Sequence, residues 1–400
     1  MKRILASLLV GIMLVLAVMP SVNANTLPSD SKKVENKEQK PEGGMKLNCK
    51  SAVLVDPMSG KVLYEYNSHE KFAPASVTKV MTMLLTMEGV DNGTFKLSDK
   101  VTVSEKAQSM GGSTMFLEAG EVRTVEDLLK GIAVESANDA AVCLAEFIGG
   151  SEDEFATLMN KKAQMLGMKN SNFVNSYGFY DENHYTTAYD IALMSRELLK
   201  HPKILDYTKI WMETISEGRK EPFTLTNRNK MIKHYSGCDG LKTGYIKEAM
   251  FCISSTAKRG DVRMLSVVMG APSWKERNAQ AGALLDYGFS KVASQKVLKK
   301  GDVVKEVKIE GGKPSIVKAI ASEDLVALTE KGKKINITTK IELNKDMKLP
   351  LKKGDKIGKV VAVDGSEVYG SVDLIIDQNV EKAGYLDMLK GSFKSWLNLK

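Results

Sequence analysis

Strand-like runs at both ends of a long helical stretch constrain the fold of this chain most strongly. Residues 49–55 and 61–66 are rich in Val, Leu and Tyr and flank the turn Asp56-Pro57-Met58-Ser59-Gly60, a pattern that predicts an N-terminal hairpin. A helix is expected from Ser76 to Glu88, where Val80, Leu84 and Met87 recur at helical spacing. Thr124, with Asp127 three residues on, is placed to cap a helix over 125–134, and further helices are expected over 137–148, 152–166 and 187–199. Strand patterns return at 249–257 and 264–269, divided by Lys258-Arg259-Gly260-Asp261, and a helix over 275–287 follows. The expectation is therefore an α+β domain, with helices packed around an antiparallel sheet whose strands come from both ends of the domain.

Beyond Phe289, short β-like runs are separated by Lys300-Gly301-Asp302, Lys331-Gly332-Lys333 and Lys353-Gly354-Asp355. They predict a small all-β domain over 291–377, after a first domain over 47–290. The last segment, 378–400, sets Leu386, Leu389, Phe393, Trp396 and Leu397 among Lys382, Lys390, Lys394 and Lys400. This is the pattern of an amphipathic helix lying on a membrane surface, and docking on the β domain is the competing reading.

At the other end, Lys2 and Arg3 precede an apolar stretch over 4–19, then Pro20 and Ser21-Val22-Asn23-Ala24. That order describes a signal peptide, residues 1–24, and hence an exported protein. Residues 25–46 are polar, carry Pro28, Pro41, Gly43 and Gly44, and read as a flexible tether. The formal charge is +8, and loss of the leader removes Lys2 and Arg3 from it. A basic balance suits an anionic membrane surface or wall polymer. Nucleic acid is not expected, because the lysines are interspersed with acidic residues and no nucleic-acid-binding motif accompanies them. Cys49, Cys143, Cys238 and Cys252 are too few and too widely spaced for a disulfide scaffold or zinc ribbon, and the four histidines lack metal-ligand spacing. No cofactor or metal is expected.

Three short motifs carry the chemistry: Ser76-Val77-Thr78-Lys79, Ser136-Ala137-Asn138 and Lys242-Thr243-Gly244. Spacing alone proves little, since Ser-x-x-Lys also occurs at Ser29 to Lys32 and at Ser68 to Lys71. An isolated match is more often a capping serine beside an exposed lysine. Ser76 differs in context, because Ala73-Pro74-Ala75 precedes it and a helical pattern begins with it. Its backbone N–H then lies in the first turn, and Lys79 projects from the same face. Nucleophile, base and one oxyanion donor are thereby offered together. Gly244 would let a substrate backbone approach the strand edge closely.

This motif set is shared by penicillin-binding proteins and class A β-lactamases. The longer stretches Pro74-Ala75-Ser76-Val77-Thr78-Lys79 and Asp239-Gly240-Leu241-Lys242-Thr243-Gly244 resemble the low-molecular-mass D-Ala-D-Ala carboxypeptidases in particular. Val77 stands where methionine is usual, Ala137 where glycine is common, and Tyr245 where a histidine is often found. The resemblance implies a serine β-lactamase/transpeptidase-like domain, removal of the terminal D-alanine from peptidoglycan stem peptides, covalent inhibition by β-lactams, and work on the outer face of the bacterial cytoplasmic membrane. It also implies roles: Ser76 as nucleophile, Lys79 as base, Ser136 as proton relay and Asn138 as a holder of Lys79 and substrate. Lys242 and Thr243 would bind the free carboxylate, and the N–H groups of Ser76 and Tyr245 would form the oxyanion hole. Arg228 and Arg277 are further substrate-binding candidates, while His184 and Asp190 read as structural. Competing functions are endopeptidase action on cross-links, a class A-like β-lactamase, for whose glutamate no segment is assignable, and a non-catalytic wall-binding protein.

Overall fold

The computed structural model describes residues 45–216, 221–333, 335–344 and 347–384. The expected signal peptide, nearly all of the tether and residues 385–400 of the terminal helix lie outside the described residues. Five strands of the first domain form one antiparallel sheet in the order Val62–Tyr66, Ser51–Val55, Val262–Ala271, Met250–Arg259, Cys238–Ile246. The N-terminal hairpin is joined to the late strands through Val53 opposite Val267 and Leu54 opposite Ser266. The sheet thus draws on both ends of the domain, as expected.

Side-chain alternation along these strands feeds two cores. Val53, Val55, Leu265, Val267 and Met269 face the helical side. Ala52, Leu54, Met264 and Val268 pack with Ala281, Leu284 and Leu285 of the helix Trp274–Lys291. With both faces covered, a strand such as Ser51–Val55 is buried along its whole length. The helix Lys79–Asp91 buries Val80, Met81, Met83, Leu84 and Met87, so it is apolar on nearly all sides and sits inside the helical core. Thr124 accepts a hydrogen bond from Asp127 N–H at the start of Val125–Lys130, the cap expected from those two residues.

Five C-terminal strands form a second antiparallel sheet in the order Val303–Lys308, Ile316–Ala321, Glu367–Ile376, Lys356–Asp364, Thr338–Leu343. Its core includes Val307, Val317, Ala319, Ile357, Val360, Leu374 and Ile376. Met58, in the turn of the N-terminal hairpin, packs against this core, and a β-carbon at Gly370 would come within 2.6 Å of its side chain.

Ordered β structure continues past the expected limit at 377. Val380 is fully buried and forms a bridge with Leu351, and Glu381–Lys382 pairs with Gly312–Lys313. A terminal helix starting at 378 is therefore corrected: residues 380–382 are held by strand partners, and their pairing stabilises the end of the module.

Candidate active site

The Ser76 segment departs from a simple helix start. Phe72 exchanges backbone hydrogen bonds with Thr186, Pro74 follows, and Ala75 adopts φ +50°. Ala75–Thr78 then forms one 3-10 turn, with Val77 N–H donating to Pro74 O, before the α-helix begins at Lys79. A left-handed residue at the first position of the turn is uncommon outside glycine and marks a locally constrained backbone. It leaves Ser76 half-buried on the turn and Lys79 fully buried beneath it.

The Lys79 amine donates to Ser76 Oγ at 3.1 Å, to Asn138 Oδ1 at 2.7 Å and to Tyr177 O at 2.8 Å. As an ammonium, Lys79 has one N–H for each of these three acceptors; neutral, it keeps two, for Asn138 Oδ1 and Tyr177 O, and turns its lone pair to the Ser76 hydroxyl. Burial pushes the Lys79 pKa well below its ordinary value, and the charge of Lys242 pushes the same way, against the opposing pull of Asp139 and Glu152.

Asn138 is aimed by its surroundings. The helix Val125–Lys130 runs into a π-helical turn, Gly131–Glu135, and Ser136 follows in the left-handed region at φ +68°, ψ +31°. The next helix begins at Asn138, whose backbone N–H donates to Ser113 O and whose Nδ2 donates to Gly111 O, both at 2.7 Å. With its amide nitrogen so occupied, the side chain presents Oδ1 to Lys79. Ser136 is buried two residues away.

The third motif lies on Cys238–Ile246, which among the described residues is an edge strand of the sheet and pairs with Met250–Arg259. Gly244 brings this edge against the Ser76 turn: a β-carbon there would sit 3.0 Å from Pro74 O and 3.1 Å from Ser76 N. Lys242 is buried, donates to Thr243 O at 3.0 Å, and has its pKa lowered to about 7 by burial and by the charges of Arg277 and Arg228, with Glu135 opposing. Thr243 is buried beside it, whereas Tyr245 is 58% exposed and stacks against Phe251.

The two arginines sit differently. Arg228 pairs with Glu135, the residue before Ser136, and its N–H donates to Val134 O. Arg277 is buried, held to Asn278 Oδ1 by its Nε and Nη2, and burial lowers its pKa to about 10. Ser76, Lys79 and Asn138 are thus joined by hydrogen bonds and Gly244 by close contact, while Arg228 and Arg277 reach Lys242 through their charge.

Two contributors to the site carry no signal in the sequence. Tyr177 contributes a backbone carbonyl, and Glu135 contributes the anchor for Arg228; neither carries a motif of its own. Chemically the site offers a hydroxyl beside an amine poised to be neutral, an open strand edge, and concentrated positive charge for an anion.

The chain matches a family model described as D-alanyl-D-alanine carboxypeptidase over residues 34–273, and one described as penicillin-binding protein 5, C-terminal domain, over residues 293–382. It is 43% identical to the D-alanyl-D-alanine carboxypeptidase DacF of Bacillus subtilis over 100% of both chains. It is 33% identical to the D-alanyl-D-alanine carboxypeptidase DacA of Haemophilus influenzae, covering 88% of this chain and 89% of that one. Among solved structures, penicillin binding protein 5 from Haemophilus influenzae is similar with a TM-score of 0.63 at 31% identity, covering 84% of this chain and 99% of that one. Penicillin-binding protein D2 from Listeria monocytogenes in its cefotaxime-bound form gives a TM-score of 0.56 at 29% identity, over 62% of this chain and all of that one.

Proposed function

Since the chain belongs to the D-alanyl-D-alanine carboxypeptidase family of serine peptidases, we propose that Ser76 is its acylated nucleophile and that the residues around it divide the remaining work. The protein is an extracytoplasmic serine-type D-Ala-D-Ala carboxypeptidase that removes the terminal D-alanine from peptidoglycan pentapeptide stems and is inhibited by β-lactams. The observation that carries the assignment is the fully buried Lys79 amine, 3.1 Å from Ser76 Oγ.

In the acylation step Lys79, neutral, takes the Ser76 proton as Oγ attacks the carbonyl between the two D-alanines. The tetrahedral oxyanion points at the N–H groups of Ser76 and Tyr245. Collapse expels D-alanine, whose amine receives a proton through Ser136. Water then attacks the ester and restores the serine. Asn138 keeps the Lys79 amine directed at Ser76 and offers the second N–H of its Nδ2 to the substrate. Lys242 and Thr243, with the field of Arg228 and Arg277, hold the terminal carboxylate. The substrate backbone lies along the open edge at Gly244, by strand addition.

The second sheet serves as a stalk, and the terminal segment from 385 lies on an anionic membrane face; its apolar cluster and lysines support this reading. Among the described residues no helix is long and apolar enough to cross a membrane. The enzymatic assignment is tested by D-alanine release from a soluble D-Ala-D-Ala peptide. The parent should release it and Ser76→Ala should not, with both folded by circular dichroism; release by the variant would move the nucleophile elsewhere.

A further inference from the structure

We propose that His184 is a positioning residue for acylation, acting through Thr78 on the carbonyl of Ala75, so that the Ser76 N–H is aimed and polarised as an oxyanion donor. The proposal rests on the assignment of Ser76 as nucleophile. His184 is buried and has no place in the mechanism above.

The direction of each hydrogen bond follows from the donors available. Val174 N–H donates to His184 Nδ1 at 3.1 Å, so in the neutral ring the proton resides on Nε2. Burial lowers the His184 pKa to about 4, against the opposing charge of Asp181, which keeps the ring neutral at ordinary pH. Nε2 lies 2.8 Å from Thr78 Oγ1 and donates to it. The Thr78 hydroxyl in turn donates its one proton to Ala75 O at 2.8 Å. The chain runs one way, from Val174 through His184 and Thr78 to Ala75 O.

Ala75 O belongs to the same planar peptide unit as Ser76 N–H. In a trans peptide the two groups point in opposite directions, so fixing the carbonyl fixes the line along which the N–H points. A hydrogen bond accepted by the carbonyl also polarises the amide and strengthens its N–H as a donor. The peptide is confined sterically as well: a β-carbon at Gly178 would fall 1.9 Å from Ala75 O and 2.9 Å from Thr78 Oγ1, so only glycine lets the loop close on it. On the opposite side Gly244 leaves Ser76 N accessible, since a β-carbon there would stand 3.1 Å away. The positive φ of Ala75 is the backbone consequence of holding this peptide in place.

The same loop supplies Tyr177 O to Lys79 and Ser176 O to Thr82 Oγ1. It therefore contacts base and oxyanion donor alike, and His184 is its link to the latter.

The test uses the full chain with Thr78→Val, which keeps the side-chain shape but removes the hydroxyl, Thr78→Ser, which restores it, and His184→Leu. Acylation by a chromogenic cephalosporin should fall on the order of tenfold in Thr78→Val and in His184→Leu, a part of what one oxyanion donor supplies. KM for a soluble D-Ala-D-Ala peptide should change little, since the loss belongs to the transition state. Thr78→Ser should return to within about twofold of the parent, and the double variant Thr78→Val/His184→Leu should be no slower than the slower single variant, because the residues act in series. The infrared band of the acyl-ester carbonyl should move to higher frequency in Thr78→Val, reporting a weakened hydrogen bond to the ester oxygen. A folded Thr78→Val that acylates within about twofold of the parent, with an unmoved ester band, overturns the relay. So do single losses that multiply in the double variant. A parent that takes no acyl group at Ser76 overturns the functional assignment and the relay with it; a labelled parent with unchanged variants overturns the relay alone.

Discussion

The amine of Lys79 lies 3.1 Å from the hydroxyl of Ser76, and it is fully buried there. The base proposed for acylation must be neutral, and the burial that keeps Lys79 beside the Ser76 hydroxyl also lowers its pKa. Lys79→Arg retains a cation that does not deprotonate in a protein. Its acylation by penicillin should fall by about 10²- to 10⁴-fold, the range of a lost general base, measured by stopped-flow labelling of folded protein.

Lys242 predicts the pH behaviour. With its pKa near 7, it loses charge as the pH rises above neutrality, so KM for the peptide carboxylate should rise on the alkaline side, with kcat limited on the acid side by protonation of Lys79. Lys242→Arg should remove the alkaline rise in KM. The stability consequence has a definite sign: the folded pKa is below the ordinary 10.5, so between about 7 and 10.5 the unfolded chain binds more protons. The burial penalty is full below about 7, shrinks as pH rises through that window, and is gone above 10.5. Lys242→Met should therefore gain stability over the parent at neutral pH, by a margin that narrows as denaturant titrations are repeated at higher pH.

Gly244 sets the distance between the strand edge and the Ser76 turn. In Gly244→Ala the new methyl must move either Pro74 O, at 3.0 Å, or the Ser76 backbone, at 3.1 Å. Loss of oxyanion geometry should slow acylation by about tenfold or more, with circular dichroism unchanged.

The convergence of the motif residues was legible because they are side chains at fixed short spacing, and the fold because strand and helix periods differ. The motifs, the two-ended sheet and the β module all follow from such patterns. What was not legible depends on partners distant in sequence. The expected helix from Ser76 instead opens with a 3-10 turn, since Ala75 is shaped by Gly178 and Thr78. Tyr177 acts through a carbonyl, which any residue possesses. The short strand pairs Lys100–Thr102 with Val122–Thr124 and Met212–Ile215 with Phe223–Thr226 are too brief for a period to register. Val380 resembles the start of the following segment until its pairing with Leu351 is seen.

That correction changes where the chain should be cut. A truncation ending at Gly384 keeps Val380 and Glu381–Lys382 with their partners and removes the segment proposed to bind the membrane. The shortened protein should leave anionic liposomes in a cosedimentation assay, losing on the order of 1 kcal/mol for each lysine removed in addition to the apolar part. It should hydrolyse a soluble peptide at the parent rate. Continued pelleting would place the attachment elsewhere.

The central claim is that one serine carries the reaction, and the most direct measurement is the mass of the peptide that retains a penicillin. After brief exposure of the mature protein to a labelled penicillin and proteolysis, the adduct should map to the peptide containing Ser76, and Ser76→Ala should carry none. An adduct on Ser136 or on any other serine, or a folded parent that takes no label, would contradict the account.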